Sequence, residues 1–103
     1  MKTIDKLDDT PEPIEALPQG VKLPTYRQLF KAAIGNALGK SSEEAIELFH
    51  VGVKVKDAKD ELVLEDAEFK LLKEKCEANP AQWTAHFHAQ VVLKLKKSEE
   101  TKT

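Results

Sequence analysis

Two histidines on either side of Phe87, His86 and His88, come nearest to a metal-binding motif in this chain. At about 100° per residue, helical positions two apart differ by roughly 200°, so these rings point to opposite sides of a helix. Helical zinc pairs sit four residues apart instead. A site would also need Cys76 and His50, and nothing in the spacing makes the four converge. One histidine is expected to border the core and the other to face water. Cys76 could be a reactive thiol, but it shares a stripe with Phe69 and Leu72, which predicts a small buried apolar side chain. Asp8–Asp9, Glu43–Glu44 and Glu65–Asp66 are the carboxylate pairs open to acid–base work. Adjacent residues project differently, and each pair has a structural role as arm, helix-start charge or solvated surface. Gly20, Gly35, Gly39 and Gly52 are scattered and form no phosphate loop. The expectation is therefore no catalytic, cofactor-binding or metal residues, no cofactor and no enzyme.

The charge balance narrows the partners. Lys and Arg total 16 against 18 Asp and Glu, a formal net charge of −2, so no global positive field is available to hold a polyanion. Lys94, Lys96 and Lys97 form the best basic cluster, yet Glu99 and Glu100 follow directly, and a cationic helix end is favoured by the macrodipole alone. A helix-turn-helix built from the first two helices would carry Glu43, Glu44 and Glu47 toward phosphate. Nucleic-acid binding is thus disfavoured, though a regulator of that kind is kept as an alternative. One cysteine excludes an internal disulfide and fits a reducing compartment. Met1 to Gly20 lacks the apolar region of an export signal, and no run of 18 apolar residues occurs. A cytoplasmic protein that does not contact a membrane is expected.

These residues must be positioned by helices, because three helix-start signals of one form punctuate the chain: Thr25-x-x-Gln28, Ser41-x-x-Glu44 and Asn79-x-x-Gln82. The first helix is predicted from about Pro24–Tyr26 to Leu38, with Tyr26, Leu29, Phe30, Ala33 and Ala37 inward and Gly39 closing it in a left-handed conformation. The second follows the Ser41 cap, with Ala45, Leu48, Gly52 and Val55 on one stripe and Ile46, Phe49 and Val53 on an adjacent one. Alternation of Val51, Val53 and Val55 leaves a β-hairpin over 51–64 as the competing reading. Leu62–Leu64 should cross the core in extended form. A third helix starts near Glu65, and a fourth is predicted from Pro80 to about Lys96. The expected fold class is all-α: a compact four-helix domain over 23–96, preceded by an acidic, proline-containing arm (1–22) and followed by a polar tail (97–103). The arm is read as flexible, or as laying Ile14 and Leu17 into a groove of its own domain or of a neighbouring copy.

Leu23-Pro24-Thr25-Tyr26-Arg27, the helix from Ala45 to Lys56, and Asp60-Glu61-Leu62-Val63-Leu64-Glu65-Asp66-Ala67-Glu68-Phe69 followed by Leu71-Leu72-Lys73-Glu74 resemble small helical proteins of tailed bacteriophages. The resemblance covers about residues 23–95. It implies a phage or prophage origin, and with it the host cytoplasm, and no site residue to carry over.

The fourth helix has a wide apolar face, with Trp83, Phe87 and Val91 on one stripe and Ala85, Ala89, Val92 and Leu95 on another. Its first role is core; the surplus could serve as a dimer seam or docking face. The functional expectation is a small protein-binding or self-associating factor whose contact residues are Ile14, Leu17, Trp83, Phe87 and Val91. The alternative is a virion structural or assembly component that forms a homo-oligomer.

Overall fold

The computed structural model describes residues 1–13 and 22–100. Its elements are β1 (Lys2–Ile4), α1 (Tyr26–Asn36), α2 (Ser42–Asp57), β2 (Leu62–Leu64), α3 (Asp66–Ala78) and α4 (Ala85–Glu100). The layout is all-α, with one short antiparallel ribbon in which Lys2 faces Leu64 and Ile4 faces Leu62. Among the described residues no helix is long and apolar enough to cross a membrane.

The helix starts show how local chemistry sets the frame. The Thr25 box forms in full: Gln28 N–H donates to Thr25 Oγ1 at 3.2 Å and Thr25 N–H to Gln28 Oε1 at 2.9 Å. Ser41 Oγ accepts from Glu44 N–H at 3.2 Å, but the Glu44 carboxylate turns away to pair with Lys75 of α3. The predicted Asn79 start is corrected. Asn79 adopts the left-handed conformation (φ 53°) and closes α3. Its side chain accepts from Trp83 N–H at 2.8 Å and donates to the Trp83 carbonyl at 3.0 Å, so the chain turns once more before α4 begins at Ala85. α1 likewise ends earlier than predicted, with extended backbone at Ala37 instead of a left-handed Gly39. Gly39 serves close approach: a Cβ there would lie 3.1 Å from Ala45 Cβ and 3.2 Å from its backbone.

Val51, Val53 and Val55 lie within α2, so the hairpin reading is set aside, and Leu62–Leu64 is extended as expected. Its partner is the finding that sequence reading missed. The arm is not loose over its described part: Ile4 and Leu7 are fully buried, and Pro11 with them. An isolated three-residue strand has no stability of its own, and β1 supplies the ladder that β2 lacks. Tyr26 N–H donates to the Asp9 carbonyl at 3.0 Å and Arg27 N–H to the Leu7 carbonyl at 2.9 Å, satisfying donors that the first turn of α1 leaves open. Full burial of Ile4 and Leu7 contributes about 1.5–3 kcal/mol each. Ile4 and Leu7 thus join the core that the helices form.

The core joins Ile4, Leu7, Phe30, Val51, Val55, Leu62, Leu64, Leu72, Val91 and Leu95 with their neighbours. α3 touches α1, α2, β2 and α4, and so sits at the centre. α4 continues through Glu100 where a fraying tail was expected from Lys96. Ser98 is buried and donates to the Lys94 carbonyl at 2.9 Å, and Lys73 Nζ holds Glu99 at 2.8 Å.

Candidate interaction face

The residues expected to make contacts fall in different environments. Val91 is fully buried in the core, so its side chain presents nothing to a partner. Trp83 packs half-buried on the edge of that core, with its ring 6.4 Å from His88, and Phe87 is half-buried beside His86. Ile14 and Leu17 lie outside the described residues. The histidines divide as their spacing requires: His86 Nε2 contacts the Glu12 carbonyl, and His88 Nε2 lies 3.1 Å from the Cys76 carbonyl. Both are half-buried, so neither is the fully solvated one that was expected. Among the described residues no cluster of three or more His, Cys, Asp or Glu could hold a metal. Cys76 is fully buried, and burial pushes its thiol up to about 12.

Part of the breadth of α4 is taken up inside the molecule, where Val91 and Leu95 are fully buried, while Leu93 stands 62% exposed. β1 packs on this helix, and Glu12 lies along its first turns, with Glu12 N–H donating to Gln90 Oε1 at 2.7 Å and Gln90 Nε2 to the Glu12 carbonyl at 2.9 Å. The larger excess is on α2. Leu48, Val51 and Val55 fill the core from one side of that helix, whereas Ile46, Phe49 and Val53 stand in solvent at 56%, 66% and 40% exposure. A helix that is apolar on two sides has one more side than a single core needs.

The exposed stripe continues into a groove of about 400 Å³ between α1 and α2. Ile34 and Gly35 form its α1 wall, Phe49, Gly52 and Val53 its α2 wall, and Lys31 and Lys56 its edge. Gly52 sets the depth, since a Cβ there would reach ordinary contact, 3.5 Å, with Ile34 Cγ2. Neither ammonium group of the edge lysines has a partner among the described residues.

The groove is braced at both ends. The two helices run antiparallel, and their far ends are clamped by Arg27, whose guanidinium donates to the carbonyls of Val55 (2.7 Å), Ala58 (2.5 Å), Lys56 (3.3 Å) and Lys59 and to the Asp8 carboxylate (3.0 Å). At the near end buried Lys75 pairs with Glu44 and donates to the Leu38 carbonyl at 3.1 Å. That bond fixes the turn while the Leu38 side chain stands 86% exposed.

A second cavity, about 410 Å³ and lined by Thr3, Asp5, Lys6, Glu61, Lys94 and Lys97, is polar and carries both signs of charge. Lys94 is spoken for: Nζ lies 4.6 Å from the centre of the Tyr26 ring and 3.9 Å from Asp5, and burial holds its ammonium below the usual lysine range despite that carboxylate. Comparison with family models, with curated proteins and with solved structures found no match.

Proposed function

We propose that this chain is a small non-enzymatic binding factor, which recognises protein through the apolar face of α1 and α2. The observation that carries the reading is the exposure of Ile46, Phe49 and Val53 on a rigid, well-formed helix, beside a groove floored by glycine. Large apolar side chains gathered in one patch and rimmed by charge mark interaction sites on small proteins, and an aromatic at the centre supplies most of the affinity. Phage or prophage origin and action in the host cytoplasm belong to the same proposal; they rest on the resemblance of residues 23–95.

The test places a photo-crosslinking phenylalanine analogue at position 49 and, as control, at exposed Lys70 of α3. A covalent adduct of defined mass formed from position 49 and not from position 70 is expected, whether the captured chain is another copy or a different protein. Absence of any adduct, or equal capture at both positions, refutes the reading.

A further inference from the structure

We infer that the occupant of this face is a second copy of the chain, with α2 packed antiparallel on its own symmetry mate across a two-fold axis near Phe49. This rests on the binding reading above and names its partner. Two-fold interfaces present one patch to itself, so the patch must be self-complementary when reversed. The α2 stripe satisfies that condition in shape. Reversal about the middle of the stripe exchanges Ile46 with Val53 and sets the two Phe49 rings beside each other at the axis. Gly52, one turn along, places no Cβ beside them.

It satisfies the condition in charge as well. Glu43 and Glu47 precede or flank the stripe at the start of α2, and Lys56, with Lys31 of α1 beside it, follows at the end. None of these four has an ion pair among the described residues, whereas Glu44 and Lys54 are each already engaged with α3. Antiparallel stacking brings the acidic end of one copy over the lysine end of the other. A parallel arrangement would stack like on like, and the helix dipoles would oppose it too. A specific interface takes about 800 Å² from each copy. That is about an eighth of this molecule's 6716 Å².

Sedimentation velocity on the full chain over a micromolar concentration series tests the inference. Wild type is expected to show a monomer–dimer equilibrium. Phe49→Glu should weaken it at least about 30-fold, the loss of one central anchor. The double variants Glu43→Lys/Glu47→Lys and Lys31→Glu/Lys56→Glu should each dimerise at least about tenfold more weakly at low salt, and mixing the two should restore a dimer containing one of each. These side chains are exposed, and unchanged helical signal and melting midpoint would verify that the variants fold. A wild type that stays monomeric throughout the series overturns the inference, as does a dimer that neither Phe49→Glu nor charge reversal weakens. A monomer whose position-49 probe captures a different protein would overturn the pairing and leave the wider binding reading standing; a monomer with no capture would remove both.

Discussion

Replacing Arg27 by alanine should remove the clamp that joins the start of α1, the end of α2 and the N-terminal segment. Its side chain is 17% exposed, and it donates to carbonyls at the C-terminal end of α2, where no intrahelical partner exists. A net hydrogen bond from a charged donor contributes about 1.5–3 kcal/mol. The bonds at 2.5 and 2.7 Å, to Ala58 and Val55, therefore set the scale. Water can reach the carbonyls once the guanidinium is gone, which takes the sum toward its lower end, about 3 kcal/mol. For a domain whose total stability is on the order of 5–15 kcal/mol this is a large fraction, and it corresponds to a fall in melting midpoint of about 12–24 °C. Urea unfolding followed by helical circular dichroism reads it directly, with an unchanged slope showing that only stability moved. Arg27→Lys should fall between, because one ammonium cannot span carbonyls and carboxylate together. An Arg27→Ala variant within about 0.5 kcal/mol of wild type would refute the clamp, since that is the scatter of ordinary surface changes.

Leu7→Ala should cost about 2–5 kcal/mol in the same urea assay, the usual range for a fully buried leucine; a near-neutral result would mean that the N-terminal segment is not part of the core. Gly52→Ala should raise stability by about 0.5–1 kcal/mol, since alanine is the better helix former and its Cβ would meet Ile34 at an ordinary 3.5 Å; destabilisation would show the α1–α2 contact to be tighter than that. Cys76, buried and with its thiol raised to about 12, should react with a disulfide reagent only at the rate of unfolding, and rapid labelling of native protein would contradict its burial. Burial pushes the Glu68 carboxyl up, but hydrogen bonds from Lys54 Nζ (2.6 Å) and Glu65 N–H (3.0 Å) outweigh it and hold it below its ordinary 4.5. A carboxyl lowered on folding stabilises above its unfolded pKa and loses that contribution as pH falls through the folded one, so wild type should lose more stability between about pH 6 and pH 3 than Glu68→Gln does; parallel pH profiles would show the carboxylate to be unimportant.

What the sequence revealed and what it hid follow from the range of the interactions involved. Thr25 and Gln28 satisfy each other within one turn, and that box was legible because the whole motif is local. Ser41–Glu44 was half legible, since Glu44 had a competing partner, Lys75, which only the packing of α3 supplies. Asn79 was half legible: with Pro80 it was expected both to end the third helix and to start the fourth, and it does close α3, but its left-handed turn leaves the start of α4 to Ala85. Ile4 and Leu7 read as isolated because their partners are Leu62, Leu64 and the first amides of α1, more than 15 residues away. Arg27 carried no local signal at all: its carbonyl partners lie 28 to 32 residues on.

The candidate site shows the same limit. Periodicity identifies two apolar stripes on α2 and two on α4 but does not say which of them the rest of the chain will cover. The N-terminal segment settles α4, since β1 and Glu12 lie on it and Gln90 bonds both backbone groups of Glu12. Trp83 packs against the core at that end, so changing it should shift stability and association together. On α2 the Arg27 clamp and the short Gly39 turn hold Leu48, Val51 and Val55 inward, which leaves Ile46, Phe49 and Val53 outward by helical geometry alone. Folding gains little from those three side chains, so substitution there can change association without changing the fold. That separation is what makes the α2 face, and not α4, the place where binding and stability can be measured independently.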